Sequence, residues 1–195
     1  MPVNRRLTTE PEYHGLPINV GSNNDLPCDT KILGTIERVM KRSLEEHSRI
    51  LVARFDLTFP QTCEPHGNKE FKEIMKQTVT SIQRHDNTKP EYVAVREQSE
   101  DGGYHYNGIL ILDNRVKKSP MKVLKEMERI EGNVLGLDDQ TGTCNWGLVH
   151  SGSNIHIVHR GNDEEFAEAF HRASYLAKLK EKGDEGRELF CSKTK

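Results

Sequence analysis

The chain has 195 residues, a formal charge of −2, and 34% apolar against 30% charged residues. That is long enough to bury a core as one domain with extensions, and too apolar for a disordered chain. The near-neutral charge excludes an indiscriminate nucleic-acid coat, although 172–195 carries seven Lys and Arg against four Asp and Glu and leaves room for a local basic surface. Cys28, Cys63, Cys144 and Cys191 are scattered without a Cys-x-x-Cys pair, which reads as reduced thiols rather than a disulfide framework or a zinc site. No apolar run approaches membrane-spanning length and no apolar stretch follows the first six residues, so a soluble, cytoplasmic protein with no membrane partner is expected.

Residues 1–29 are rich in Pro, Asn and Gly and read as an extended arm; 30–195 read as a single domain. Over 30–47, Ile32, Leu33, Ile36, Val39, Met40 and Leu44 recur at helical spacing. Over 51–59 the period changes to two. Leu51, Ala53, Phe55, Leu57 and Phe59 form one face of a strand, Arg54, Asp56 and Thr58 the other, and Pro60 ends it. A helix is predicted over 69–84 from Phe71, Ile74, Met75, Val79 and Ile82. A strand over 92–97, a turn at Asp101-Gly102-Gly103 and a return strand over 104–112 make a hairpin. Ser119-Pro120 predicts a helix start with proline in the first helical position, and that helix reaches about 130. Strands follow over 143–149 and 154–158, and a last helix over 163–182. Without its ends the order is β-α-β-β-α-β. That predicts an α+β fold of the ferredoxin-like or RRM-like type, a central antiparallel sheet with helices on one face, flanked by an N-terminal helix and a C-terminal tyrosine-bearing helix. No phosphate-binding Gly-x-x-x-x-Gly-Lys-Ser/Thr loop occurs, which excludes a built-in P-loop ATPase.

The chemistry concentrates at the hairpin. Alternate side chains of a strand share a face, so His105 and Asn107 project together, and Glu97 joins them from the preceding strand. A carboxylate, an imidazole and an amide suit Mg²⁺ or Mn²⁺ better than a structural zinc, and the small Gly108 beside them favours such a site. The bland alternative is a polar sheet edge with a hydrogen-bonded histidine. In the last helix Phe166, Phe170, Ala173 and Ala177 form an apolar stripe. Steps of 100° put Tyr175 opposite it, on the side of His171, Lys178 and Lys182. A packing role would place an aromatic on the stripe; an off-stripe tyrosine is either simply exposed or a nucleophile. Ionising a phenol of pKa near 10 at pH 7 costs about 4 kcal/mol, part of which an ammonium one helical turn away and a divalent ion recover. Lys178 is alternatively placed to stabilise charge on a phosphate. Arg54 and Asp56 read as a salt-bridged pair beside the site, and His150, His156 and His159 as structural or surface histidines.

Three segments together resemble the HUH endonuclease superfamily, named for its His-hydrophobe-His motif. Phe55-Asp56-Leu57-Thr58-Phe59-Pro60-Gln61-Thr62 looks like the first motif of rolling-circle replication initiators. Glu97 with His105-Tyr106-Asn107 looks like their metal motif, and Tyr175-Leu176-Ala177-Lys178 like their Tyr-x-x-Lys nucleophile motif. Over 30–195 the chain is most similar to the prophage and inovirus replication-initiator-like proteins of the YagK/YfjJ type. The resemblance implies metal-assisted attack by tyrosine on a phosphodiester of single-stranded or hairpin origin DNA, with rejoining from the stored bond. The family pattern has a second histidine where this chain has Asn107. Glutamine stands there in some initiators, and asparagine is a methylene shorter, a departure that bears on catalysis and not on the fold. Two other readings stay open: a non-catalytic DNA-binding or regulatory module of the same fold, and a ferredoxin-like interaction domain without nucleic acid.

Overall fold

A computed structural model describes residues 6–21, 23, 25–59, 68–98, 104–137, 144–145, 155–179 and 188–192. Four two-residue strands lie in the first segment: β1 Leu7–Thr8, β2 Glu12–Tyr13, β3 Leu16–Pro17 and β4 Cys28–Asp29. They are followed by α1 Thr30–Glu46, β5 Arg49–Thr58, α2 Asn68–Asp86, β6 Glu91–Gln98, β7 Tyr104–Asp113 and α3 Met121–Leu135. Then come β8 Cys144–Asn145, β9 Ile155–His159, α4 Asp163–Ala173, a 3-10 turn Ser174–Ala177, and β10 Glu188–Cys191.

Strand β5 is the axis of the main sheet. It pairs with β7 from Ile50 opposite Asp113 to Thr58 opposite His105. Along its other edge it pairs with β9 and, further on, with β8. β6 pairs with the far edge of β7, and β10 with the far edge of β6. The order is β10-β6-β7-β5-β8, with β9 also on β5, and every pairing is antiparallel. The strands of the predicted β-α-β-β-α-β unit thus stand in the order two, three, one, four, which the split ferredoxin-like arrangement requires. β10 is an added edge that the sequence did not announce.

The pleat divides the sheet into two apolar faces. Leu51, Ala53, Phe55, Leu57, Tyr106, Leu110 and Leu112 point to one side and bury Phe71, Ile74, Met75 and Ile82 of α2 with Val123, Leu124, Met127 and Ile130 of α3. The two helices of the inner unit therefore share a face, as expected. Ile50, Val52, Val93, Val95, Ile109 and Ile111 point to the other side, which α1, α4 and the arm residues Ile18, Val20 and Cys28 cover. The continuous apolar run Ile50-Leu51-Val52-Ala53 is what a strand buried on both faces needs.

Helix ends follow local chemistry. Asp29 caps α1, its carboxylate accepting from the amides of Lys31 at 2.8 Å and Ile32 at 3.4 Å. α3 begins one residue after the predicted position, with Ser119 Oγ accepting from Met121 N. It runs on to Leu135, five residues past the predicted end, until Gly136 turns left-handed at φ 66°. The last helix departs most. It stops at Ala173 instead of continuing to 182, and Lys178 is extended, bridged to Cys28. Ser174 Oγ donates back to the carbonyl of His171 at 2.7 Å and accepts from the Asn19 amide at 2.8 Å, while Leu179 N donates to Pro27 O. The arm offers this backbone partners outside the helix, so the helix yields.

Candidate functional site

The face of the sheet covered by α1 and α4 changes character at one end. Along β7 it reads Ile111, Ile109, Asn107, His105; along β5 it reads Val52, Arg54, Asp56, Thr58; along β6 it reads Val93, Val95, Glu97. Register locks the polar ends together. His105 lies opposite both Thr58 and Glu97, and Asn107 lies opposite Asp56. The predicted neighbours Glu97, His105 and Asn107 are thus on adjacent antiparallel strands and one face. The turn at 101–103 that was expected to join them lies outside the described residues, as do Pro60–Thr62, Cys63, Trp146 and His150.

Asn107 is 8% exposed, and its amide is held at both ends. Its Nδ2 donates to Glu97 Oε2 at 3.2 Å and its Oδ1 accepts from the Arg54 guanidinium at 3.2 Å. The reverse orientation would set an oxygen against a carboxylate and an NH₂ against a guanidinium, so the chemistry fixes the amide this way. Asn107 accordingly enters the site as a bridge between a cation and an anion, and its oxygen is committed to Arg54. Arg54 reaches further: its guanidinium lies 4.8 Å from the centre of the Tyr175 ring. The Lys178 ammonium lies 5.1 Å from the same centre. Two cations therefore attend one aromatic ring. Tyr175 is 37% exposed and off the buried side of its turn, whereas Ser174, Leu176 and Ala177 are buried.

Some expectations need correction. Lys178 is not one helical turn from Tyr175; it meets the ring from an extended residue beyond a 3-10 turn. Gly108 is small for another reason. A Cβ there would come 2.3 Å from Phe55 Cζ and 2.9 Å from the Val93 carbonyl, on the α2–α3 face rather than at the site. Arg54 engages Asn107 and Tyr175 rather than closing a salt bridge with Asp56. Tyr106, the neighbour of the site in sequence, faces away, stacked on Phe71 at 4.2 Å, and burial pushes its phenol up to about 12. His156 and His159 stay outside: His159 pairs with Glu165 at 2.9 Å and His156 lies 3.8 Å from Glu168.

Asp56 and Thr58 are participants that the sequence reading left at the margin. Thr58 Oγ1 is 3.0 Å from His105 Nδ1. Burial raises the Asp56 carboxyl above the ordinary range against the pull of His105 and Arg54, with Glu97 adding to the rise, and Asp56 Oδ1 is buried with no hydrogen-bond partner among the described residues. The signal available was their place on the polar face of β5, register-matched to His105 and Asn107. On the far side of the ring, burial lowers the Lys178 ammonium from its usual value, with Cys28 and Asp25 opposing.

Among the described residues no three His, Cys, Asp or Glu side chains converge as a ready metal centre. Glu97 and His105 are cross-strand partners on one face, with Asp56, whose Oδ1 has no hydrogen-bond partner among the described residues, on the next strand. A mixed oxygen and nitrogen set of this kind fits a hard or borderline divalent ion.

A mainly antiparallel α+β sheet with a cationic and acidic end, faced by an exposed tyrosine, defines the class. The family model of the YagK/YfjJ C-terminal domain matches residues 8–192, almost the whole chain, and the chain belongs to that family. No curated protein and no solved structure matches it. No helix among the described residues is long and apolar enough to cross a membrane.

Proposed function

We propose that this chain nicks and rejoins single-stranded DNA through a covalent phosphotyrosine at Tyr175, as the HUH-type resemblance implies. The observation that carries this reading is the reach of Arg54, which touches Asn107 and covers the Tyr175 ring. The candidate nucleophile is thereby linked through Arg54 to Asn107, whose amide in turn holds the Glu97 carboxylate on the sheet. Arg54 and Lys178 beside an exposed phenol are suited to hold a phosphodiester, since a guanidinium binds phosphate oxygens in bidentate fashion. Tyr175 Oη would bond to phosphorus while the bond from phosphorus to the 3′ oxygen breaks. The phenolic proton leaves to solvent, the departing oxygen takes one up, and the count of phosphoester bonds is unchanged, so rejoining needs no ATP. Glu97 and His105 would hold Mg²⁺ or Mn²⁺, with Asn107 keeping the Glu97 carboxylate in place. Such an ion, when bound, supplies Lewis-acid polarisation of the phosphate.

The test is incubation with mixed single-stranded oligonucleotides and Mn²⁺, followed by a denaturing gel. A protein–DNA adduct in wild type that is missing from Tyr175→Phe supports the reading; no adduct with any oligonucleotide or metal defeats it. One observation favours a second reading, a non-catalytic DNA-binding or regulatory module: the Asn107 oxygen, where the family pattern has a metal-binding histidine, is occupied by Arg54. Retained DNA binding without an adduct would select it.

A further inference from the structure

The turn that carries Tyr175 takes its shape from the other end of the chain. Residues 163–182 carry a helical pattern, and in a continuing helix the Leu179 amide would donate to the Tyr175 carbonyl. Instead Leu179 N donates to Pro27 O at 2.9 Å, Lys178 N takes the Tyr175 carbonyl at 3.2 Å, and Lys178 is extended beside Cys28. Ser174 is wholly buried; its hydroxyl accepts from the Asn19 amide at 2.8 Å and donates to the His171 carbonyl. We propose that Asn19 and Pro27 of the arm, together with Ser174, are positioning residues for Tyr175, which break α4 and thereby bring the ring against Arg54. None of the three needs to touch DNA or a cation.

The movement at stake is large on the scale of the contact. A 3-10 helix turns about 120° per residue and an α-helix about 100°, so over the two steps from Ala173 to Tyr175 the ring direction differs by roughly 40°. The Arg54 guanidinium lies 4.8 Å from the ring centre and is tied to Asn107 on the sheet, so it cannot follow such a rotation and keep both contacts. The arm is firm enough to impose the break. Ile18 and Val20, on either side of Asn19, are buried in the core beneath α1 and α4. Ile18 N donates to Pro11 O at 2.9 Å, Leu26 N to Val20 O at 3.0 Å, and Gly21 N to Asn19 Oδ1 at 3.3 Å, so the path of the arm is set by its own hydrogen bonds.

The consequence for catalysis rests on the proposed role of Tyr175, but the first test does not. In NMR of the DNA-free protein, Tyr175 ring protons should show cross-relaxation with the Arg54 side chain, and the Lys178 Cα shift should be that of extended backbone. Ser174→Ala removes the acceptor and Asn19→Pro the donor of one hydrogen bond, from opposite ends of the chain, so either variant answers if the other fails to fold. Each should move the Lys178 shift towards helical values and weaken the Arg54–Tyr175 contact, with the sheet amides unchanged. Adduct formation with single-stranded oligonucleotides and Mn²⁺ should slow by up to about 100-fold, while gel-shift affinity falls far less. Folded variants that keep the Arg54–Tyr175 contact and an extended Lys178 overturn the proposal, and so does an unchanged adduct rate once that contact is lost. A contact present in wild type and lost in the variants, with no adduct from any of the proteins, upholds the positioning role and counts against the nicking reading alone.

Discussion

The Arg54 guanidinium rests 4.8 Å from the centre of the Tyr175 ring, joining the middle of the sheet to a turn that follows the last helix. Arg54 occupies a position on β5 where Val52 before it is apolar, and Asn107 takes one of its N–H groups. Arg54 thus touches both Asn107 on the sheet and the Tyr175 ring on the turn. Arg54→Ala should therefore weaken binding of single-stranded oligonucleotides and lower adduct yield more than Lys178→Ala does, while Arg54→Lys should not restore it, because an ammonium cannot span both contacts. Gel-shift and adduct assays on the three variants check this.

Tyr175→Phe should leave folding nearly intact, within about 0.5 kcal/mol, since it removes one hydroxyl from an exposed ring. It should abolish any covalent adduct. Tyr106 cannot take over: its ring is buried on the opposite face of the sheet, and Tyr104 shares that face by strand alternation. Lys178→Ala should slow adduct formation rather than end it, because charge stabilisation is partial and a nucleophile is obligatory. An adduct surviving in Tyr175→Phe would assign the nucleophile elsewhere.

Mn²⁺ should raise the melting temperature of the wild type by mass action, and His105→Ala should erase the rise. Asn107→His should enlarge it, since it adds an imidazole beside Glu97 at the cost of the bond to Arg54. Equal shifts in wild type and His105→Ala would place the ion elsewhere on the protein.

Gly108→Ala should destabilise the fold by about 1–3 kcal/mol, the usual range for overpacking. The added methyl meets Phe55, which is wholly buried, and the Val93 carbonyl, which belongs to a paired strand and cannot retreat. Combining it with Phe55→Leu should cost less than the sum of the two single changes, because the second opens the space that the first needs. Denaturant melts of the four proteins give the coupling directly.

The buried Asp113 carboxylate gives a pH signature. The hydrogen bond from Arg115 holds its carboxyl below the usual aspartate value, against the opposing effect of burial, with His47 also contributing. A depressed folded value means that its stabilisation is present above the unfolded value of about 3.9 and is lost as pH falls through the folded one. Asp113→Asn should flatten the acid limb of a stability profile below about pH 4, and Arg115→Ala should flatten it in part. An unchanged acid limb in Asp113→Asn would assign the effect to other carboxylates.

Much of this architecture was legible because its causes are local. The switch from helical spacing in 30–47 to period two in 51–59 reflects the geometry of a helix with one apolar stripe and of a strand with one fully apolar face, and α1 and β5 follow it. The Glu97–His105 pairing was legible because a hairpin fixes register through a short turn. The 3-10 turn at Tyr175 was not, since the sequence there remains a good helix pattern and the groups that break it, Asn19 and Pro27, are remote in the chain. The bridging role of Asn107 was hidden likewise: a His-x-Asn pair on a strand says where the amide points, but not that Arg54 waits for its oxygen. β10 is four residues long, and Glu-Leu-Phe-Cys carries too little pattern to separate it from its surroundings.

The clasp between the arm and the tyrosine turn has a kinetic meaning. Asn19 and Ser174 are 155 positions apart in the chain, and Pro27 with Leu179 and Cys28 with Lys178 span similar distances. Contacts of such separation raise contact order, and their loop-closure entropy is recovered only once the elements between them are packed. The exposed Tyr175 ring would then meet Arg54 only in a molecule whose sheet is already complete. A half-folded chain would carry the Tyr175 phenol without Arg54 and Lys178 over its ring.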